Sequence, residues 1–259
     1  MNRIDALKDK SKKHLVIYTM AGDPDISTTE DIVRSLAASG VSLIEIGVPF
    51  SDPVADGPTI QRAGERAIAN GTTMGKTMDM VNRIRKSVET PLVFMLYYNL
   101  ILSYGIKKFV DDALKAGVDG AIIPDLPFDE EAEFYNYCKK RGFYVICLVS
   151  PTNTPGRMKK IVEKSDGFVY YILQKGVTGA RKSISGDLKA LRAIKKEAGK
   201  PVFAGFGIST PGQAFEVAAH ADGVIIGSAF VSLVEKFGRK SSRLKVEIGK
   251  FVKNFLKRL

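Results

Sequence analysis

The sequence predicts an α/β protein of one domain, a (β/α)8 or TIM barrel, on three grounds. Short apolar or β-branched runs alternate with helical patterns from one end of the 259-residue chain to the other. These runs are apolar along their whole length, as is typical of parallel strands that helices cover on the outside. Eight strand and helix units in roughly 250 residues match the usual size of this barrel.

The predicted strands are eight apolar runs. They cover residues 15–22, 42–48, 92–98, 119–125, 144–150, 167–174, 201–207 and 222–228. Helical patterns, several opened by Ser, Asp or Pro and closed by Gly, lie between them over residues 28–38, 106–116, 130–141, 187–198 and 211–219. A short N-terminal helix and an extra amphipathic C-terminal helix complete one domain over residues 1–259. An open doubly wound sheet is the main rival, but no Gly-x-Gly-x-x-Gly turn follows the first run.

Composition excludes several classes of protein. Hydrophobic residues make up 45% of the chain and charged residues 26%, which is ordinary for a globular protein. No apolar run approaches the roughly 18 residues of a membrane helix, and the charged N-terminus does not fit a signal peptide. We therefore expect a cytoplasmic protein with no membrane partner. The isolated residues Cys138, Cys147, His14 and His220 offer no metal cluster, so acid–base chemistry must come mainly from carboxylates or tyrosines.

The net charge of +11 is concentrated in the last third of the chain. Residues 181–259 contain 16 Lys and Arg against 6 Asp and Glu. Much of this surplus falls on the amphipathic C-terminal helix and indicates a solvated helix face. A nucleic-acid binder usually adds a recognisable reading module or stacking aromatics in a basic groove, and neither is evident. We expect no nucleic-acid partner, and we predict that the positive charge steers an anionic substrate toward its site.

The second predicted strand carries the most informative carboxylate. Strand alternation places Leu43, Glu45 and Gly47 on one face and Ile44 and Ile46 on the other. If the isoleucines meet the helices, Glu45 points into the barrel mouth. Desolvation there raises the pKa of a carboxyl group, which suits it to proton transfer near neutral pH. The alternative is a buried glutamate held by an internal salt bridge.

The loop after this strand, residues 49–58, supplies a second carboxylate. Asp52 and Asp56 lie among three prolines and a glycine, and the prolines reduce the ordering cost of placing a side chain. Two carboxylates in different surroundings can take different protonation roles. Aspartate as a plain turn former is the alternative.

Glycine-rich ends of the last three strands predict a phosphate site. They are residues 176–180, 205–209 and 227–229, the last just before a helix that starts near Phe230. Glycine lets backbone N–H groups approach an anion, and Ser228 adds a hydroxyl at a helix N-terminus. Glycines that serve only as turns are the alternative. Lys175, just after the sixth predicted strand, is a candidate for a lysine that forms a Schiff base.

Several aromatic and apolar residues near strand ends are candidates for an aromatic pocket, although most would be core residues in any barrel. They are Tyr18, Met95, Tyr97, Tyr98, Tyr170 and Phe206.

Several segments of the chain resemble those of a known family. The segment LIEIGVPFSDPVADGPTIQRA, residues 43–63, is similar to the signature of the tryptophan synthase alpha subunit. Shorter matches follow the family order across nearly the whole chain: MAGDP (20–24), YYN (97–99), PDLP (124–127), GVTGAR (176–181), GFGIS (205–209) and GSA (227–229). The departures are Val54, where the family usually has Leu, and Leu173, where Ser is common.

The resemblance implies a lyase that splits indole-3-glycerol phosphate into indole and glyceraldehyde 3-phosphate without a metal or organic cofactor. By this resemblance Glu45 transfers protons at ring carbon C3 and at the side-chain hydroxyl, and Asp56 holds the ring N–H. Tyr170 assists at the glycerol side, and the indole contacts are Tyr18, Met95 and Phe206. The phosphate contacts are Gly179, Gly207, Gly227 and Ser228, while Thr178 closes the loop after the sixth strand and contacts Asp56.

The resemblance also implies a partner, a beta subunit that holds pyridoxal phosphate in an αββα heterotetramer. Residues 49–58 and 99–105 of this chain are expected to meet it. Three other functions stay open. They are another phosphate-binding barrel enzyme, such as indoleglycerol-phosphate synthase or phosphoribosylanthranilate isomerase, a non-catalytic regulatory barrel, and a nucleic-acid binder.

Overall fold

The strands form a closed parallel barrel. The computed structural model describes residues 2–173, 184–238 and 241–259, and the side chains of all of these except 184–187 and 241. The strands within these ranges are β1 (His14–Met20), β2 (Leu43–Gly47), β3 (Leu92–Met95), β4 (Gly120–Ile122), β5 (Tyr144–Ile146), β6 (Leu148–Val149), β7 (Val169–Ile172), β8 (Val202–Gly205) and β9 (Gly223–Ile226). They pair in the order β5-β4-β3-β2-β1-β9-β8-β7-β6. The prediction of a TIM barrel is confirmed.

The fifth predicted strand, residues 144–150, is split into β5 and β6 at Cys147. β5 pairs with β4 and β6 pairs with β7, so the two ends of the sheet are one continuous piece of chain. At the break, Cys147 donates its backbone N–H to the Ser165 hydroxyl at 2.9 Å and accepts the N–H of Tyr170 at 3.2 Å. The barrel therefore has eight strand positions, as predicted, although nine short strands occupy them.

Helices cover the outside of the barrel. They are α1 (Ile26–Ala38), α2 (Pro58–Ala69), α3 (Met74–Arg85), α4 (Tyr98–Tyr104), α5 (Ile106–Ala116), α6 (Ala132–Arg141), α7 (Pro155–Lys164), α8 (Ile184–Glu197), α9 (Pro211–Ala218), α10 (Ser228–Phe237) and α11 (Ser241–Leu256). Pro58, Pro155 and Pro211 stand at the first turn of their helices, where a missing backbone N–H costs nothing. No described helix is both long and apolar enough to cross a membrane.

Several predicted boundaries differ from the structure by a few residues, and two of these differences have clear local reasons. The helix predicted over 130–141 begins at Ala132, because Glu131 adopts a left-handed φ of 51° and serves as its N-cap. The strand predicted over 92–98 ends at Met95, because Tyr97 is the N-cap of α4. The helix predicted to start near Phe230 begins at Ser228, in agreement with the prediction.

The strand side chains divide into two apolar layers. Ile44 and Ile46 belong to the outer layer, which packs against the helices. Leu43 belongs to the inner layer, which the N-terminal 3-10 helix (Arg3–Lys8) closes from below with Ile4 and Leu7. The alternation predicted for β2 is therefore correct, and it directs Glu45 into the barrel.

Candidate active site

A cavity of about 490 Å³ lies at the carboxyl ends of the strands, where barrel enzymes place their chemistry. Nine of the residues singled out from the sequence line it: Tyr18, Glu45, Asp56, Met95, Tyr170, Phe206, Gly207, Gly227 and Ser228. The 176–181 segment, which contains Thr178 and Gly179, lies outside the described residues, and so does Lys175. The structure thus gathers these nine candidates into one cavity.

Glu45 is almost completely buried in the wall of this cavity. Its exposed fraction is 1%, and its Oε1 atom has no hydrogen-bond partner among the described residues. Burial raises the pKa of the Glu45 carboxyl to about 8. Within the ranges that the structure covers, no cation lies within ion-pair distance of it, so the salt-bridge alternative gains no support. A carboxyl group in this state can donate a proton near neutral pH and take it back.

Two buried tyrosines line the same cavity as Glu45. Tyr18 on β1 is in register with Glu45, and Tyr170 extends from β7. Burial is the main cause that raises the pKa of both phenols well above the ordinary value, and the charge of Glu45 adds to it. Both hydroxyls therefore stay protonated and available as donors.

Two glycines make room for these tyrosine rings. A Cβ atom added at Gly47 would lie 2.0 Å from the Tyr18 Oη atom, and one at Gly205 would lie 2.6 Å from the Tyr170 Oη atom. Each ring thus lies across the neighbouring strand in space that a side chain would fill. In the sequence, Gly47 indicates only a strand-face position and Gly205 only part of a phosphate segment, so neither glycine predicts this role.

Asp56 reaches the same cavity from the loop after β2. Its backbone N–H donates to the Pro53 carbonyl at 3.1 Å, and its own carbonyl accepts from Gln61 Nε2 at 3.0 Å. Its Oδ2 atom accepts the Tyr97 hydroxyl at 3.1 Å. Burial raises the pKa of Asp56, and the Tyr97 hydrogen bond acts in the opposite direction. Asp52, the other aspartate of the loop, is exposed and does not line the cavity.

The opposite end of the cavity is built mainly from backbone. Phe206 and Gly207 both have left-handed φ angles, 73° and 78°, which turn the chain sharply after β8. Gly227 is the N-cap of α10 and provides no side-chain hydrogen bond to the helix, so the first N–H groups of α10 face the cavity end without a side-chain cap. Such an end favours an anionic group.

Two of the other aromatic candidates lie elsewhere. Tyr98 packs edge-on against Phe134 in the outer layer, so its assignment to an aromatic pocket is wrong. Tyr97 lines a much smaller cavity of about 10 Å³ beneath the 49–58 loop. No sequence pattern indicated its hydrogen bond to Asp56, because 41 residues separate the two. Leu173, the departure from the family pattern, lines the main cavity.

In the part of the chain that the structure describes, no three histidine, cysteine or acidic side chains converge on a common point where a metal ion could bind. Cys138 and Cys147 are both buried, and burial raises the pKa of these thiols to about 12 and about 11. Such thiols are inert at neutral pH.

Comparisons with known proteins point to one family. The family model described as tryptophan synthase alpha chain matches residues 4–257. A tryptophan synthase alpha chain of Geobacter sulfurreducens is 49% identical over 247 residues, which cover 95% of this chain and 93% of that one. The crystal structure of tryptophan synthase subunit alpha from Legionella pneumophila matches with a TM-score of 0.88 at 37% identity, covering 100% of this chain and 98% of that chain.

A similar chain occurs in a structure of the tryptophan synthase a2b2 complex of Pyrococcus furiosus, which is described as explaining the mutual activation of that complex. Its TM-score is 0.85 at 32% identity, and the match covers 94% of this chain and 98% of that chain. The resemblance noted in the sequence is therefore confirmed, and the chain belongs to the tryptophan synthase alpha chain family.

Proposed function

We propose how this chain carries out the activity of its family, the lyase cleavage of indole-3-glycerol phosphate to indole and glyceraldehyde 3-phosphate. Glu45 transfers the protons, and Asp56 holds the ring N–H. The observation that carries this proposal is the buried Glu45 carboxyl, which shares one cavity with Asp56 and has an unpartnered oxygen among the described residues.

The reaction breaks the bond between indole C3 and the side-chain carbon that bears a hydroxyl. Glu45 begins protonated and delivers its proton to C3, so that the ring can accept the bonding electrons. The resulting carboxylate then takes the hydroxyl proton as the carbon–carbon bond breaks and the hydroxyl carbon becomes an aldehyde. Glu45 ends protonated again, and no oxidant or reductant is consumed. A pKa of about 8 suits both transfers at neutral pH.

Asp56 supports the charged intermediate. Protonation at C3 places positive charge on the ring nitrogen, and an ionised carboxylate that accepts the N–H hydrogen bond stabilises that charge. The Tyr97 hydroxyl already hydrogen-bonds to the Asp56 carboxylate at 3.1 Å, which favours its ionised form. Glu45 and Asp56 thus take different protonation states because their surroundings differ.

The rest of the cavity suits an aromatic ring at one end and a phosphate at the other. We assign the ring contacts to Tyr18, Met95 and Phe206, and the glycerol side to Tyr170. Gly207, Gly227 and Ser228 would hold the phosphate at the start of α10. The roles of Thr178 and Gly179 stay predictions from the resemblance.

The proposal needs no cofactor in this chain. The pyridoxal phosphate of the family's second reaction would belong to a beta subunit, and we propose that this chain joins one in an αββα heterotetramer. The a2b2 description of the Pyrococcus furiosus complex supports such a partner. In this chain, Val54 and Leu102 are large hydrophobic residues with exposed fractions of 84% and 50%, and they lie on the two segments expected to meet it. A cytoplasmic location and a domain that spans residues 1–259 complete the proposal.

Release of indole from indole-3-glycerol phosphate tests the proposal in wild type, Glu45→Gln and Asp56→Asn, with and without a beta subunit. Glu45→Gln should lower kcat by at least about 100-fold, because it removes the proton carrier. Asp56→Asn should lower kcat by about 10-fold to 100-fold, because it removes charge stabilisation. Added beta subunit should raise the wild-type rate.

Asp52→Asn is the matched control, because Asp52 lies on the same loop with an exposed side chain. Without the partner it should cleave at the wild-type rate. Normal cleavage by Glu45→Gln would overturn the assignment of the proton carrier, and a wild-type rate unaffected by the beta subunit would count against communication between the two chains.

A further inference from the structure

Tyr97 connects the end of β3 to the loop that carries Asp56. Its hydroxyl accepts the backbone N–H of Ala55 at 2.9 Å and donates to the Asp56 Oδ2 atom at 3.1 Å. A phenol can accept and donate at once, so both bonds form together. One side chain therefore fixes the backbone of the loop and the direction of the carboxylate beside it.

The Tyr97 ring is itself held in place. Its exposed fraction is 4%, and it packs on Phe50 at the start of the loop with ring centroids 5.2 Å apart. Its backbone is fixed as the N-cap of α4. A side chain held from three directions loses little conformational freedom when it binds the carboxylate, so the hydrogen bond is well placed before substrate arrives.

The other hydrogen bonds of Asp56 involve only its backbone, through Pro53 and Gln61. Among the described residues, Tyr97 is the side chain that hydrogen-bonds to the Asp56 carboxylate. Tyr97 itself does not line the main cavity, so it acts on substrate through Asp56. We propose that Tyr97 is a positioning residue of the lyase reaction, which aims the Asp56 carboxylate at the ring N–H. This inference rests on the proposed role of Asp56.

The charged and titratable surroundings of this pair come from three parts of the chain. Tyr18 on β1 and Glu45 on β2 line the same cavity as Asp56, and Asp125 after β4 faces Tyr97. Burial raises the pKa of the Tyr97 phenol far above neutral, so the hydroxyl stays a donor. Its donation opposes the effect of burial on Asp56 and favours the carboxylate. Loss of the hydroxyl therefore raises the pKa of Asp56.

Tyr97→Phe tests the proposal in the full chain with saturating beta subunit. The substitution keeps the ring packed on Phe50 and removes only the hydroxyl. We expect kcat to fall by about 10-fold, the size of a lost hydrogen bond to a charged group, and the acid limb of kcat/KM to move to higher pH. Tyr137→Phe is the matched control, because the Tyr137 hydroxyl donates to Asp111 at 2.9 Å outside the cavity. It should leave kcat and the acid limb unchanged.

A double-mutant cycle with Asp56→Asn separates this role from a general structural one. Its second measurement is the Kd of indole-3-propanol phosphate, which keeps the ring N–H and the phosphate but has no hydroxyl to cleave, so inactive variants are measurable. Tyr97→Phe should weaken binding in the wild type and have no further effect in Asp56→Asn.

3-Fluorotyrosine at position 97 is a second test, because it preserves the fold and the hydroxyl. Since its hydroxyl is a stronger hydrogen-bond donor, it should move the acid limb of kcat/KM to lower pH.

Equal losses from Tyr97→Phe in both backgrounds would overturn the proposal, as would a fluorotyrosine protein with an unchanged acid limb. If Asp56→Asn alone cleaves and binds normally, the proposed role of Asp56 fails first, and the positioning role fails with it. The two failures are therefore distinguishable from the single variants.

Discussion

The two ends of the barrel each bury a carboxylate, in opposite surroundings. At the amino end, Asp119 just before β4 lies between the guanidinium groups of Arg3 and Arg85 and accepts the Leu92 N–H at 2.8 Å. At the carboxyl end, Glu45 is just as deeply buried, and its Oε1 atom has no partner in the described part of the chain. Only the end with the cavity leaves its carboxyl group without such support.

This difference shows how one fold separates stability from chemistry. A buried carboxylate that pairs with two guanidinium groups and a backbone donor ties segments of the chain together. A buried carboxyl without a partner is held neutral, which weakens the fold at neutral pH but gives a proton carrier with a pKa of about 8. The unpaired carboxyl at the carboxyl end of the barrel therefore lowers the stability of the fold but provides the proton carrier, whereas the paired carboxylate at the amino end stabilises the fold.

The largest effect that tests this comparison is expected at the amino end. Asp119→Ala should lower the free energy of unfolding by about 4 kcal/mol, because it leaves the buried Arg85 guanidinium without its carboxylate. Urea unfolding measures this loss, and kcat per folded molecule should stay close to wild type because Asp119 lies away from the cavity.

Asp129→Ala is the control for this variant, because Asp129 pairs with Arg157 at the surface with both side chains about half exposed. It should cost less than about 1 kcal/mol. If both substitutions cost the same, the amino-end network would contribute no more than a surface ion pair, and the contrast between the two ends would disappear.

An effect of comparable size and opposite sign is expected at the carboxyl end. The folded protein holds the Glu45 proton up to about pH 8, while the unfolded chain releases it near its ordinary pKa of 4.5. The stability of the wild type relative to Glu45→Gln is therefore greatest below pH 4.5 and falls as pH rises through 8. Glu45→Gln should gain about 4 kcal/mol over the wild type between pH 4.5 and pH 8.5, because the two pKa values differ by about 3.5 units.

Unfolding of both proteins across this range measures the trend. Glu216→Gln, which changes an exposed glutamate on α9, should follow the wild type at every pH. A difference between Glu45→Gln and wild type that stays constant with pH would show that Glu45 has an ordinary pKa, and its proposed proton transfers would lose their physical basis.

The sequence predicted Glu45 because the signal is local. Five residues that alternate between faces decide which side chain enters the barrel, and the outer positions of Ile44 and Ile46 agree with that pattern. The start of α10 is equally local, since glycine and serine at the end of a strand mark a helix N-terminus. The barrel itself follows from the repetition of such local units.

The link between Tyr97 and Asp56 has no local signal. It depends on how far the 49–58 loop folds back over the end of β3, which the packing of Phe50 on the Tyr97 ring sets in three dimensions. The same reason hides the space that Gly47 leaves for Tyr18, because the two residues lie on neighbouring strands. Sequence alternation thus predicts which residues face the cavity, but not which of them contact one another.

The smallest expected effect concerns the positive charge of the last third of the chain. This third carries most of the net charge of +11 and also builds the proposed phosphate end through Gly207 and Ser228. Steering of a dianionic substrate should make kcat/KM fall by about 3-fold between 20 mM and 300 mM ionic strength, with kcat unchanged. Initial rates of indole release at low substrate concentration measure it. The Kd of indole is the control, since a neutral ring should bind equally at both ionic strengths. A flat kcat/KM would show that these lysines and arginines only solvate the surface, because a field that acts on encounter must weaken as salt screens it.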